Sequence, residues 1–186
     1  MKKTALRFDE RAAAVDDPLV LVVDDDPYIR ASLTDMFASV GMDTRVYAST
    51  ADLLEDEIPT RPCCLVLDLR LPGAGGLDLQ SRLAHDGIDI PIIFITGHAD
   101  VRTSVRAMKA GALDFLAKPF AEQELLDAVS DALKRDCQRR LELGERNKVR
   151  KLAERLTPRE TDVLRGVARG LLNKQIAFEL GITEIT

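Results

Sequence analysis

The chain has 186 residues, of which 46% are hydrophobic, and a net charge of −5. That is enough for one substantial domain plus a small second one, and too apolar for wholesale disorder. No apolar run approaches the ~20 residues a membrane helix requires, and "MKKTALRFDERAAAVDDP" has no continuous apolar core, so neither a membrane partner nor a secretory signal is read. Three cysteines, two of them adjacent (Cys63, Cys64), lack both an even count and metal-ligand spacing. They read as reduced, buried thiols of a cytoplasmic protein.

Residues 1–17 are expected to form an N-terminal extension. The first strand is "LVLVV" (19–23), and it stops at three consecutive carboxylates, Asp24, Asp25 and Asp26. Further β-type runs are "TRVYA" (44–48), "CCLVLDL" (63–69), "PIIFIT" (91–96) and "LDFLAK" (113–118), with amphipathic segments near 27–40, 50–57, 76–86 and 99–110. The third and fourth runs are apolar on both faces, as central strands of a parallel sheet covered by helices are. Alternating strands and helices predict a doubly wound α/β layer with the flavodoxin-like strand order 2-1-3-4-5.

From Ala121 to about Leu156 the pattern is helical, with Leu125, Val129, Leu133, Cys137 and Leu141 recurring every fourth residue. Gly144 weakens it by about 1 kcal/mol relative to alanine. The first domain is placed at 18–135 and a charged helical linker at 136–156, with a short coiled-coil seam as an open option. Residues 157–186 form a second module. Thr157-Pro158-Arg159-Glu160 is a capping box with proline at the first helical position. That helix is predicted to end near Gly170. Asn173 is read as the cap of a second helix that Gly181 terminates, and Thr183 as the cap of a third. Two short helices and the start of a third make a helix-turn-helix. The module is expected to be partial, its base-reading helix missing, so that this chain binds DNA poorly.

Charge separates the two parts. Residues 134–186 hold 13 Lys+Arg against 8 Asp+Glu, whereas the first 133 hold 13 against 23. An acidic front and a basic rear imply different partners.

In a doubly wound sheet, ligands sit at the carboxyl ends of the strands where the strand order reverses. The first strand ends at Asp24 and Asp25, the third at Asp68, the fourth at Thr96 and the fifth at Lys118. Side-by-side carboxylates repel unless solvent or a hard cation compensates. Three on one rim make an oxygen site for Mg²⁺ or Mn²⁺. Such a cation would prepare Asp68 to attack a phosphoryl group, with Lys118 as a point charge and Thr96 as a hydroxyl donor.

The blocks "VVDDDP", "LVLDLRLPG", "FITGH" and "LAKPF" resemble those of a two-component response regulator receiver domain, over about residues 18–135. "LTPRETDVLRGVARGLLNKQIAFELGI" resembles the LuxR-type helix-turn-helix of the NarL/FixJ subfamily. The resemblance implies that Asp68 is the phosphoacceptor and that Asp24, Asp25, Asp68 and the Arg70 main-chain carbonyl hold Mg²⁺, Asp24 largely through water. Asp26 falls outside the usual acidic pair and is read as a helix cap before Pro27. Thr96 and Phe115 match the family's switch pair, and Lys118–Pro119 its Lys-Pro step with a cis bond. Arg70 and His98, two residues beyond the acceptor and the switch threonine, are expected to tune phosphoryl lifetime.

Phosphorylation by a sensor histidine kinase is then expected to reshape the fourth helix, fifth strand and fifth helix and to drive homodimerisation. Val101, Val105, Ala107, Lys109, Ala110, Gly111 and Asp114 are the predicted dimer face. Arg169 and Lys174 are candidate contacts to DNA phosphates. The implied protein is a transcription regulator, not an enzyme. One alternative is a receiver whose output is a protein contact, for instance with RNA polymerase. Another is an aspartyl phosphotransferase, which wants an acid where Arg70 stands. A third, a pseudo-receiver, is countered by the presence of Asp24, Asp25, Asp68, Thr96 and Lys118.

Overall fold

The computed structural model describes residues 17–97 and 100–181. Two compact units divide at Arg140 and Leu141. The first contains β1 (Leu19–Val23), α1 (Pro27–Ser39), β2 (Asp43–Tyr47), α2 (Thr50–Glu55), β3 (Cys63–Asp68), α3 (Gly76–His85), β4 (Ile92–Thr96), α4 (Val101–Lys109) and β5 (Asp114–Ala117). Helix α5 (Glu122–Ala153) starts there and runs past the division; α6 (Pro158–Ala168) and α7 (Asn173–Leu180) follow. Among the described residues no helix is long and apolar enough to cross a membrane.

The sheet is wholly parallel, in the order β2-β1-β3-β4-β5. Every residue of β1, β3 and β4 is buried, which explains why these runs are apolar without interruption. Strand alternation divides them between two cores. Leu21, Leu65, Leu67 and Phe94 pack with Leu79, Leu83 and Ala107 on one face, while Val22, Val66, Ile93 and Ile95 pack with Phe37, Leu125 and Val129 on the other.

Helix starts follow local chemistry. Asp26 caps α1 by accepting from the Tyr28 N–H at 2.8 Å, with Pro27 as the first helical residue. Asp100 caps α4 by accepting from the Thr103 N–H at 2.9 Å. Thr157 and Glu160 close a reciprocal capping box on α6, and α6 gives way to Gly170 in the left-handed region at φ +76°. Gly181 ends α7 at φ +61°. The reading of Asn173 as a cap is corrected. Asn173 is the first helical residue and Leu172 occupies the cap, its N–H donating to Gln175 Oε1 at 2.9 Å. A glutamine three residues on satisfies the orphan N–H, so the polar cap residue is dispensable. Thr183 lies outside the described residues.

Helix α5 continues unbroken through Gly144. Its buried residues run from Leu125 to Asp136, and everything from Leu141 to Arg155 is exposed. It therefore stays attached to the first unit a turn beyond 135. All three cysteines are free thiols; burial pushes the Cys63 and Cys64 thiols above their ordinary range, which keeps both protonated.

Candidate functional site

The site is built from strand ends. Strands β1 and β3 pair in register, Val23 opposite Leu67, so Asp24 and Asp68 emerge side by side. Strand alternation puts both on the α1/α5 face, two residues beyond Val22 and Val66. Asp24 is 0% and Asp68 8% exposed, whereas Asp25 is exposed. Carboxylate oxygens of all three lie within 4.8 Å of one another. Hard oxygen donors so grouped fit a small divalent cation such as Mg²⁺.

Lys118 bridges two of them. Its Nζ lies 2.7 Å from Asp24 Oδ2 and 2.7 Å from Asp68 Oδ2. Burial disfavours the Lys118 ammonium, but hydrogen bonds to Asp24 and Asp68 outweigh it and hold its pKa above the ordinary lysine value. Burial likewise raises the Asp24 carboxyl, against the pull of Lys118 and of the Asp26 N–H, which donates to Asp24 Oδ1 at 2.9 Å. The other oxygen of Asp68, Oδ1, accepts from the Arg70 N–H at 2.9 Å. Lys118 is set by its own backbone, whose N–H donates to Thr96 O at 2.7 Å and which leads into a cis peptide to Pro119.

Thr96 is fully buried at the end of β4, opposite Ala117. Alternation puts it on the face of Phe94, and Phe115 packs against that same core, its ring centroid 6.5 Å from that of Phe94. The Thr96–Phe115 pair thus lies on the α4 side, behind the carboxylates. Arg70 is exposed beside the site; His98 lies outside the described residues.

Residues 20–130 match the "Response regulator receiver domain" family, more than half of the chain. The chain belongs to the response regulator family. Residues 154–186 also match "Bacterial regulatory proteins, luxR family". Nodulation protein W of Bradyrhizobium diazoefficiens is 52% identical over 168 residues, covering 90% of this response regulator and 74% of that protein. Response regulator protein TodT of Pseudomonas putida is 41% identical over 184 residues, covering 99% and 79%. Among solved structures, response regulator StyR superimposes with a TM-score of 0.82 at 45% identity, covering 91% of this chain and 85% of StyR. TodT and StyR are response regulators by name, the family to which this chain belongs.

The remaining sequence-derived residues of this response regulator fall as follows. Val101 (80% exposed), Val105, Lys109, Ala110 and Gly111 are exposed on or just after α4, and Asp114 is half-buried at the start of β5. Ala107 is corrected. It is completely buried among Leu79, Leu83 and Phe94, because it lies on the inward stripe of α4, and it offers no surface to a second copy. Lys174 is exposed on α7. Arg169, at the end of α6, is ion-paired with Glu179 at 3.5 Å.

Two site-supporting residues escaped the sequence reading. Arg30 reaches back from α1, its Nη1 donating to Asp24 O at 2.6 Å; only its place one turn behind the Asp26 cap hinted at this. Gly76 is the other, since a Cβ there would meet Asp68 O at 2.6 Å.

Proposed function

We propose that Asp68 is the phosphoacceptor of a two-component system, served by a sensor histidine kinase, and that its phosphorylation controls DNA binding through the LuxR-type module. The observation that carries this reading is the meeting of Asp24, Asp25 and Asp68 around one point with Lys118 bridging Asp24 and Asp68. An Asp68 carboxylate oxygen attacks the phosphorus of a phosphohistidine; the P–N bond breaks, the imidazole leaves, and an aspartyl phosphate remains. Asp24, Asp25, Asp68 and the Arg70 carbonyl would hold Mg²⁺, which when bound would neutralise charge on the transferring oxygens.

The chain's own residues do the rest. Lys118, already within hydrogen-bond range of Asp68, shifts to a phosphoryl oxygen. Thr96 donates its hydroxyl to another, and Phe115 fills the space this opens on the α4 face. Arg70 and His98 flank the route of hydrolytic water and set the phosphoryl lifetime. The exposed residues Val101, Val105, Lys109, Ala110 and Gly111, with Asp114, form the face on which two phosphorylated copies pair. Pairing brings two DNA-binding modules together, and effective concentration strengthens each one's hold on DNA. Arg169, once released from Glu179, and Lys174 contact phosphates. The receiver is assigned to 18–135, the linker to 136–156 and the DNA-binding module to 157–186, in a cytoplasmic protein.

Acetyl phosphate with Mg²⁺ tests the reading. One phosphoryl group per chain is expected by intact mass, with a shift to dimer on sedimentation. Loss of the adduct in Asp25→Asn or on chelation of Mg²⁺ supports the metal assignment; labelling that persists under both refutes it.

A further inference from the structure

At the end of the receiver sheet opposite the carboxylates lies a second charged cluster that no motif accounts for. Asp136 is 0% exposed. Its Oδ2 accepts from the Cys63 N–H, the first residue of β3, at 2.9 Å. The same carboxylate pairs with Arg139, through Nε at 3.0 Å and through Nη2, and with Arg140 Nε at 2.6 Å. Arg140 in turn donates to Thr60 O at 2.7 Å and Pro59 O at 3.2 Å, while Arg139 reaches Asp89 at 3.6 Å. One buried carboxylate thus ties α5 to the segments entering both β3 and β4.

The position of the cluster along α5 matters. It occupies the last turn of the helix that belongs to the first unit, which ends at Arg140. From Leu141 to Arg155 every residue is exposed, and Gly144 lies within that stretch. A helix so short and so exposed is marginal in water unless its first turn is already fixed. Asp followed by Arg at both i+3 and i+4 fixes such a turn, and a buried, fully partnered carboxylate holds it to one geometry.

We propose that Asp136 is a positioning residue for signal output: it anchors the turn of α5 that closes the first unit to the base of β3, and so keeps the helix beyond Arg140 formed. This rests on the reading above, in which phosphorylation of Asp68, at the other end of the same strand, controls the DNA-binding module that follows α5. With Asp136 in place the segment 141–153 stays helical. Without it that segment frays, and dimerisation can act through proximity alone.

Hydrogen exchange on the full chain tests this, comparing wild type with Asp136→Ala and Asp136→Asn. Asparagine keeps an acceptor for the Cys63 N–H but loses the charge that holds the arginines. Backbone amides of 141–153 are expected to exchange at least tenfold faster in both variants, while those of 125–133 change less than threefold. An Arg139→Gln/Arg140→Gln double variant, which leaves the carboxylate in place and serves if the Asp136 variants do not fold, should reproduce the effect. Exchange of 141–153 within twofold of wild type would overturn the proposal. Equal acceleration across 125–133 and 141–153 would overturn it too, since Asp136 would then only stabilise the receiver. In parallel, acetyl phosphate labelling of wild type reports on Asp68 by itself. Failure there counts against the phosphoacceptor reading and leaves the exchange result standing.

Discussion

Gly76, the first residue of α3, lies directly against the carbonyl of Asp68: a Cβ built on it would sit 2.6 Å from Asp68 O and 2.9 Å from the Phe94 ring. The Gly76 N–H also donates to Leu69 O at 3.1 Å. Helix α3 therefore starts in contact with the backbone that presents the proposed phosphoacceptor. Backbone cannot swing aside as a side chain can, so any larger residue must push α3 or the end of β3 away. Gly76→Ala is expected to cost about 1–3 kcal/mol in urea unfolding and to slow acetyl phosphate uptake several-fold. Wild-type stability and rate in this variant would show that the contact does not position Asp68.

Lys118 is the cation that Asp24 and Asp68 share at 2.7 Å each. Lys118→Ala leaves the buried Asp24 carboxylate without its counter-charge. Removing one partner of a buried pair costs about 3 kcal/mol or more. The variant should therefore unfold at markedly lower urea concentration in EDTA, and recover much of the loss with Mg²⁺, which it should bind more tightly than wild type does. A stability deficit that Mg²⁺ leaves untouched would argue that the ion and the ammonium do not address the same carboxylates.

The Thr157–Glu160 capping box gives the second unit a pH dependence with a definite sign. The Thr157 N–H and hydroxyl, at 2.8 and 2.7 Å from Glu160 Oε2, hold the Glu160 carboxyl below its ordinary value of 4.5. A depressed folded-state pKa favours the folded form above the ordinary value, and that contribution disappears as pH falls through the lower one. An NMR titration of the Glu160 carboxyl should give a midpoint below 4.5, moving upward in Thr157→Val. Identical midpoints in the two proteins would remove the box from the account.

Gly166 in α6 is buried beneath Ile176 of α7, whose Cγ1 would lie 2.8 Å from an added Cβ. Alanine gains about 1 kcal/mol in helix propensity, but the overlap should outweigh that, so Gly166→Ala is expected to loosen the α6–α7 pair. Removing the neighbour in Gly166→Ala/Ile176→Ala should cost less than the two single changes summed, a coupling that a double-mutant cycle measures. Additive effects would mean the two residues do not meet.

How much of this was legible in the sequence depended on whether a residue's role was local in the chain. The uninterrupted apolar runs of β1, β3 and β4 and the Asp26 and Thr157 caps could be read, because each follows from neighbours a few residues away, and the parallel order followed from the alternation of strands and helices. Asp24, Asp25 and Asp68 were legible as strand-end carboxylates, since topology alone brings strand ends to one rim. Roles set by contacts distant in sequence were not. Gly76 was legible only as the start of the amphipathic segment 76–86, not as a residue pressed against the Asp68 carbonyl. Ala107 looked like a small surface residue until the turn of α4 put it inside. Asp136, with Arg139 and Arg140 after it, had the spacing of a solvated helical ion pair; the clue was that it continues the buried stripe Leu125–Val129–Leu133, where a carboxylate needs partners.

The identity of the phosphorylated carboxylate is the most direct test of the central claim. After incubation with acetyl phosphate and Mg²⁺, borohydride reduction converts an aspartyl phosphate to homoserine, and peptide mass mapping locates it. The account predicts homoserine at position 68 and nowhere else, and none in Asp68→Asn. Homoserine at Asp24 or Asp25, or labelling of Asp68→Asn at wild-type stoichiometry, would contradict it.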